Sequence, residues 1–158
     1  MIEFLKRLFK KESRRFALVK DAPITAILPT RKTKGSAGYD FYLPEDVVVP
    51  AHGYSKFIPT YVKAYFPEDE VLMLYIRSSI GLLRGVTLGN NVGVIDTDYV
   101  DNPDNEGNIG LRLYNHTDDA VVFYKGDRIM QGIFVKYGVV DNDFTRDERK
   151  GGYGSTGK

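Results

Sequence analysis

The sequence predicts an all-β, single-domain fold. Three observations carry that reading. From Arg15 onward the apolar residues fall in short runs rich in Val, Ile, Tyr and Phe. Pro, Gly, Asn and Asp break these runs at close intervals. No long helical period and no internal repeat follows residue 15. Many short strands with such spacing make a sandwich or barrel of mostly antiparallel pairing.

The elements follow in chain order. Ile2, Leu5, Leu8 and Phe9 recur at helical spacing among lysines and an arginine. This predicts a short basic amphipathic helix over 2–11, within an appendage of residues 1–14. Such a helix can pack on its own domain, on a partner or on an anionic membrane. FALVK, AGYDFYL, DVVVP, SKFIPTYVKAYF, EVLMLYI, GVTL, VGVID, IGLRLYN, AVVFY and RIMQGIFVKYGVV then read as the strands of one β domain, 15–140. Beyond Val140 the apolar content falls away, and 141–158 reads as an extended arm.

Composition narrows the chemistry. A chain of 158 residues can bury a real core. A net charge of +1 argues against nucleic acid as a bulk electrostatic partner, although residues 1–20 hold seven cations against Glu3 and Glu12. The absence of cysteine removes disulfides, thiolate catalysis and Cys-ligated zinc together, and His52 and His116 cannot make an all-histidine metal site. No run reaches the roughly 18 apolar residues of a spanning helix, and the N-terminus lacks the apolar stretch of a secretory signal. The expectation is a cytoplasmic protein with no transmembrane segment.

Five segments concentrate polar groups beyond what a turn requires: Gly35–Asp40 (GSAGYD), Arg77-Ser78-Ser79 with Gly81, Leu88–Tyr99 (LGNNVGVIDTDY), Gly126–Gln131 (GDRIMQ), and the arm from Arg149. Taken singly, each has an ordinary structural explanation. Asp40 can cap a turn, Gly126-Asp127 is a hairpin signal, and Asn90-Asn91 supplies turn residues. Asp96 stands apart: it follows the apolar run VGVI, where alternation allows it to face inward, and a buried carboxylate needs a reason. The terminal GGYGSTGK fits the start of a phosphate-cradling P-loop. The polar stretch before it, DNDFTRDERK, cannot be the buried strand that feeds such a loop.

In this order and spacing the five segments resemble the signature motifs of the trimeric dUTPase family: AGYDFY, RSSIG, LGNNVGVIDTDY, GDRIMQ and RKGGYGSTG, over nearly everything from Arg15 to Lys158. The resemblance implies a jelly-roll-like distorted β-barrel and hydrolysis of dUTP to dUMP and pyrophosphate. That reaction limits uracil in DNA and supplies dUMP for dTMP synthesis. It further implies that Asp96 orients and activates the attacking water. Arg77, Ser78, Ser79 and Gln131 would hold phosphate oxygens, with Arg149, Gly154, Ser155 and Thr156 of the arm wrapping the rest. Asn90, Gly93, Val94 and Ile95 would read the uracil edge from a hairpin. Tyr99 would pack under the deoxyribose, and Tyr153, in the place of the family's usual Phe, would stack on the base. Mg2+ would ride on the phosphates and water with no direct protein ligand, Asp40 acting on it through water. A homotrimer is implied, with active sites shared between subunits and the arm of one chain covering the site of another.

The sequence departs from the family pattern in two places. After Tyr99 and Val100 comes an insertion at 101–106 before Gly107, which is either an inert loop or, like the N-terminal helix, a surface for a protein partner. Arg149 also stands closer to the glycines than in many relatives, which leaves Arg146 as the alternative phosphate ligand. Three other functions compete. A dCTP deaminase needs a glutamate in GLRLYN where this chain has Arg112. A regulatory protein that binds dUTP as a signal would use the insertion or the helix as its contact surface. A sugar-binding sandwich would leave the ordered polar segments unexplained.

Overall fold

The computed structural model describes residues 13–154. The predicted helix over 2–11, and Ser155 and Thr156, lie outside them. The strands are β1 (Arg15–Leu18), β2 (Tyr39–Tyr42), β3 (Val47–Val49), β4 (Ile58–Pro59), β5 (Val62–Tyr65), β6 (Glu70–Ile76), β7 (Val86–Leu88), β8 (Gly93–Ile95), β9 (Gly110–Leu111), β10 (Leu113–Asn115), β11 (Val121–Phe123) and β12 (Arg128–Lys136). One α-helix among the described residues, α1 (Ser78–Arg84), follows β6, and a 3-10 turn spans Thr97–Tyr99.

Every pairing is antiparallel. A four-stranded sheet runs in the order β2-β12-β6-β8, and four two-stranded ladders (β1-β5, β7-β10, β3-β11, β4-β9) complete the shell. Among the described residues the core is therefore enclosed by five separate sheets, with no continuous closed barrel. Two predicted strands are each split. Tyr61, at φ 62, separates β4 from β5, and Arg112 separates β9 from β10.

Alternation decides which residues reach the core. Val47 and Val49 of β3 are buried while Val48 between them is exposed, and Leu72 and Leu74 of β6 point inward together. Phe41, Phe123, Ile58, Ile109 and Leu113 fill the centre. Ile129 and Met130 are both fully buried although adjacent. The register of β12 against β2 shifts between Arg128 and Met130, and such a bulge turns two neighbours to one side while re-aiming the residue before them.

Helix α1 carries no amphipathic signal. It is 7 residues long, Ile80 is its one buried residue, and Leu82 and Leu83 are more than four-fifths exposed. It ends at Gly85, whose φ of 62 is the left-handed cap that glycine adopts at little cost.

The loop after Tyr99 is tied back to β5. Lys63 Nζ meets Asp101 at 2.6 Å and Glu106 at 3.0 Å, and the Tyr65 hydroxyl donates to Asp101 at 2.7 Å. The hydrogen bond to Lys63 is the main cause that lowers the Asp101 carboxyl below its ordinary value, and Asp101 in turn raises Lys63. Asp101 therefore stabilises the fold fully above its unfolded value near pH 4, and the contribution is lost as pH falls through the depressed folded value. The Lys63 contribution is present below about pH 10 and is lost as pH rises through the raised folded value. Replacing Lys63→Met should lower the melting temperature by about 2 °C at pH 7. Thermal scans against pH should show that gap closing on acidification as Asp101 protonates.

Candidate active site

At the C-terminal end of β6 a buried carboxylate organises two arginines. Asp40, on β2, is 8% exposed. Its Oδ1 meets Arg77 Nε at 3.1 Å and its Oδ2 accepts from Arg128 Nη1 at 2.9 Å. Arg77 also donates to the Arg128 carbonyl at 3.2 Å. Gln131 lies opposite Asp40 in the register of β12 on β2, and its amide oxygen packs on Gly38, where a Cβ would overlap it. Arg77 and Arg128 open onto a cavity of about 660 Å³ that Arg31, Lys32 and Arg84 also line, against the single carboxylate of Asp127. Five cations around one concavity make a site for a polyanion. Ser78 and Ser79 begin α1 beside Arg77, with Ser78 exposed.

A second group forms where β8 ends. Val94 and Asp96 share the outward face while Gly93 and Ile95 are buried, so Asp96 is not the inward-facing carboxylate that alternation allowed. Its side chain is 55% exposed and meets Arg149 Nη2 at 2.6 Å. Arg149 Nε also bonds Asp98 at 2.7 Å, and the guanidinium stands 5.7 Å from the centre of the Tyr99 ring. The Asp98 bond is the chief cause that raises Arg149 above its usual value. Tyr153 packs its ring 5.7 Å from Tyr99 and 5.6 Å from Phe57, and its hydroxyl accepts from Gly110 N–H at 2.8 Å. Loss of water at that hydroxyl, with Tyr99 beside it, pushes Tyr153 above the ordinary phenol range, so it stays protonated.

Asn90 and Asn91 form the turn between β7 and β8, with Asn91 at φ 62. The expected hairpin from Asn90 to Tyr99 is not formed, because β7 pairs with β10 and β8 with β6. Instead β8 is the outer strand of its sheet, with one side of its backbone outside any ladder. That still leaves main-chain donors and acceptors available to a flat ligand.

The two groups are far apart on one chain. Leu72 faces Ile95, so Asp96 comes level with Val71, six residues before Arg77, or about 20 Å along β6. The motifs thus bring Asp40, Arg77 and Gln131 together, and separately Asp96, Tyr99, Arg149 and Tyr153. Arg149 lies on carboxylates, not in the cationic cavity, and Arg146 donates to the Thr145 carbonyl. Asp40 has both oxygens engaged by guanidinium groups. Sequence reasoning assigned no role to Arg128, Arg84, Arg31 or Lys32. Arg128 stood inside a quoted motif, but only the bulge beside it shows that it turns toward Asp40. Arg112 donates to the Ser55 carbonyl at 3.1 Å and covers the Tyr54 ring at 5.0 Å, a packing role unlike that of a deaminase base.

Fold and site define an all-β protein with a cavity lined by five cations at one end and a half-exposed carboxylate, Asp96, paired with Arg149 at the other. A dUTPase family model matches residues 25–157. The chain is 48% identical over 132 residues to the deoxyuridine 5'-triphosphate nucleotidohydrolase of Lactococcus lactis, covering 82% of this chain and 87% of that protein. The crystal structure of dUTPase from Streptococcus mutans superposes with a TM-score of 0.74 at 42% identity, covering 80% of this chain and 98% of that one. A mutant dUTPase from phage phi11 of S. aureus, described with a structural Mg(II) ion, shares the fold at a TM-score of 0.68 and 20% identity, covering 85% and 97%. This chain belongs to the dUTPase family.

Removing the carboxylate with Asp40→Ala should leave Arg77 and Arg128 mutually repelling beside the cavity. The expected cost is about 2 kcal/mol in urea unfolding.

Proposed function

We propose that the chain hydrolyses dUTP to dUMP and pyrophosphate as a homotrimer, in sites that each draw on more than one copy. The division of the site residues carries this reading. The cationic cavity around Arg77 and the Asp96 carboxylate lie about 20 Å apart on one chain, too far to act on one triphosphate unless a second copy supplies the missing half.

Within such a site the chemistry follows from charge and geometry. Asp96, half in solvent and followed by the 3-10 turn, orients a water and accepts its proton as the oxygen attacks the α-phosphorus. The bond from that phosphorus to the bridging oxygen breaks, and pyrophosphate departs with the electron pair. Arg77 and Arg128, pre-aimed by Asp40, neutralise the non-bridging oxygens without reorganising, and Ser78, Ser79 and Gln131 complete the polar surface. Arg149 holds Asp96 when the arm is down, and its exchange onto phosphate oxygens frees the base. The backbone of Gly93, Val94 and Ile95 and the amide of Asn90 read the uracil edge, Tyr99 closes the floor under the sugar, and Tyr153 covers the base. The arm, 141–158, closes the site, with Gly154, Ser155 and Thr156 on the outer phosphates.

Among the described residues no group of three or more His, Asp or Glu could hold a metal ion. The donor set therefore suits Mg2+ carried by phosphate oxygens and water, with Asp40 accepting from that water shell at most. When bound, the ion would spread the negative charge that builds on the phosphates. The phage phi11 relative is described with a Mg(II) ion in a structural role, so the same cation occurs on this fold.

The base assignment is tested by Asp96→Asn, which keeps shape and removes basicity. Pyrophosphate release should fall by about 100-fold or more while dUTP affinity changes only a few-fold; undiminished turnover would contradict the assignment. Truncation after Glu148 should depress activity to a similar degree and leave the melting temperature within about 2 °C, since Arg149 to Tyr153 add few core contacts.

A further inference from the structure

The insertion at 101–106 is an ordered network built from its own side chains. Asn102 is 6% exposed. Its Oδ1 accepts from the N–H groups of Asp104 at 3.0 Å and Asn105 at 3.2 Å, folding the segment into a turn on itself. Its Nδ2 donates to the Tyr99 carbonyl at 2.8 Å and to Asn105 Oδ1 at 2.7 Å. Asn105 Oδ1 also accepts from Gly107 N–H at 3.0 Å. That fixes which way the Asn105 amide points, and its Nδ2 donates to the Tyr99 hydroxyl at 2.8 Å. The Tyr99 hydroxyl is then left to donate to the Asn108 carbonyl at 3.1 Å.

The outer side of the same turn receives the arm. Asp104 Oδ2 accepts from Gly152 N–H at 2.8 Å. Gly152 is buried, and a Cβ built on it would stand 3.0 Å from Asn105 Nδ2, so the backbone lies directly on the amide that holds Tyr99. Lys63 and the Lys20 N–H, through Asp101 and Glu106, secure the two ends of the turn to the body.

We propose that the insertion is a bracket for the reaction: Asn105 is a positioning residue that locks the Tyr99 ring, and Asp104 is the seat on which the glycine arm closes. Neither touches the reacting atoms. The sugar-discrimination half of this rests on the reading above, in which Tyr99 excludes a 2′-hydroxyl. The arm-seat half rests on the contacts alone, and the surface is the same whichever copy supplies the arm.

Two measurements test it. The first is the ratio of kcat/KM for dUTP over UTP in the wild type, Asn105→Ala, Tyr99→Phe and the double variant. Asn105→Ala should reduce the ratio by about ten-fold, and the double variant should lose no more than the larger single, because both break one interaction. A full ratio in Asn105→Ala, or losses that multiply in the double variant, would overturn the positioning role. A wild type that hydrolyses dUTP and UTP alike would instead sink the functional reading and the sugar half with it. The second measurement needs no nucleotide. Trypsin should cut after Arg149 and Lys150 about ten-fold faster in Asp104→Ala than in the wild type. Equal rates would overturn the seat, whatever the chain hydrolyses and whether or not Asn105→Ala folds.

Discussion

The antiparallel pairing of β6 with β8 is the constraint on which the rest of the site depends. Leu72 opposite Ile95 and Leu74 opposite Gly93 set a register that cannot slip by one residue without turning Leu72 and Leu74 out of the core. The same register sends β6 toward Arg77 and β8 toward Asp96 in opposite directions. A chain that buries its core in this way separates its cation cluster from its carboxylate by the length of a strand.

Each half is then stabilised by a buried or half-buried polar group with all its partners present. Asp40 holds two arginines whose mutual repulsion would otherwise splay them, and its burial among hydrogen bonds offsets the cost of desolvating the carboxylate. At the other end the side-chain oxygens and nitrogens of Asn102 and Asn105 are all engaged in the turn that holds Tyr99. Among the described residues no buried side-chain nitrogen or oxygen lacks a partner. A fully satisfied network favours one geometry over its neighbours, which is what a site discriminating between close substrates requires.

Much of this was legible in the sequence. Short β-branched runs between Pro, Gly and Asn marked the strands, and EVLMLYI coincides with β6 residue for residue. The motif segments supplied the residues that the fold groups as Asp40, Arg77 and Gln131 at one end and Asp96, Tyr99, Arg149 and Tyr153 at the other. Three features were not legible, each for a physical reason. Helix α1 is too short, and its leucines too exposed, to leave a helical period. The outward direction of Asp96 follows from Gly93 facing Leu74 across the sheet, a long-range register that one strand cannot reveal. The bracket at 101–106 read as a polar insertion because its asparagines bond to one another and to Tyr99 through turns, where no periodicity exists to signal them.

Subunit complementation tests the central claim most directly. Chains carrying Asp96→Asn and chains carrying Arg77→Ala, each inactive alone, would be co-expressed and assayed for pyrophosphate release from dUTP. If every site takes its carboxylate from one copy and its cation cluster from another, random mixing restores both to about a quarter of the sites, and activity returns in that proportion. Mixed assemblies as inactive as either parent would contradict a site shared between copies.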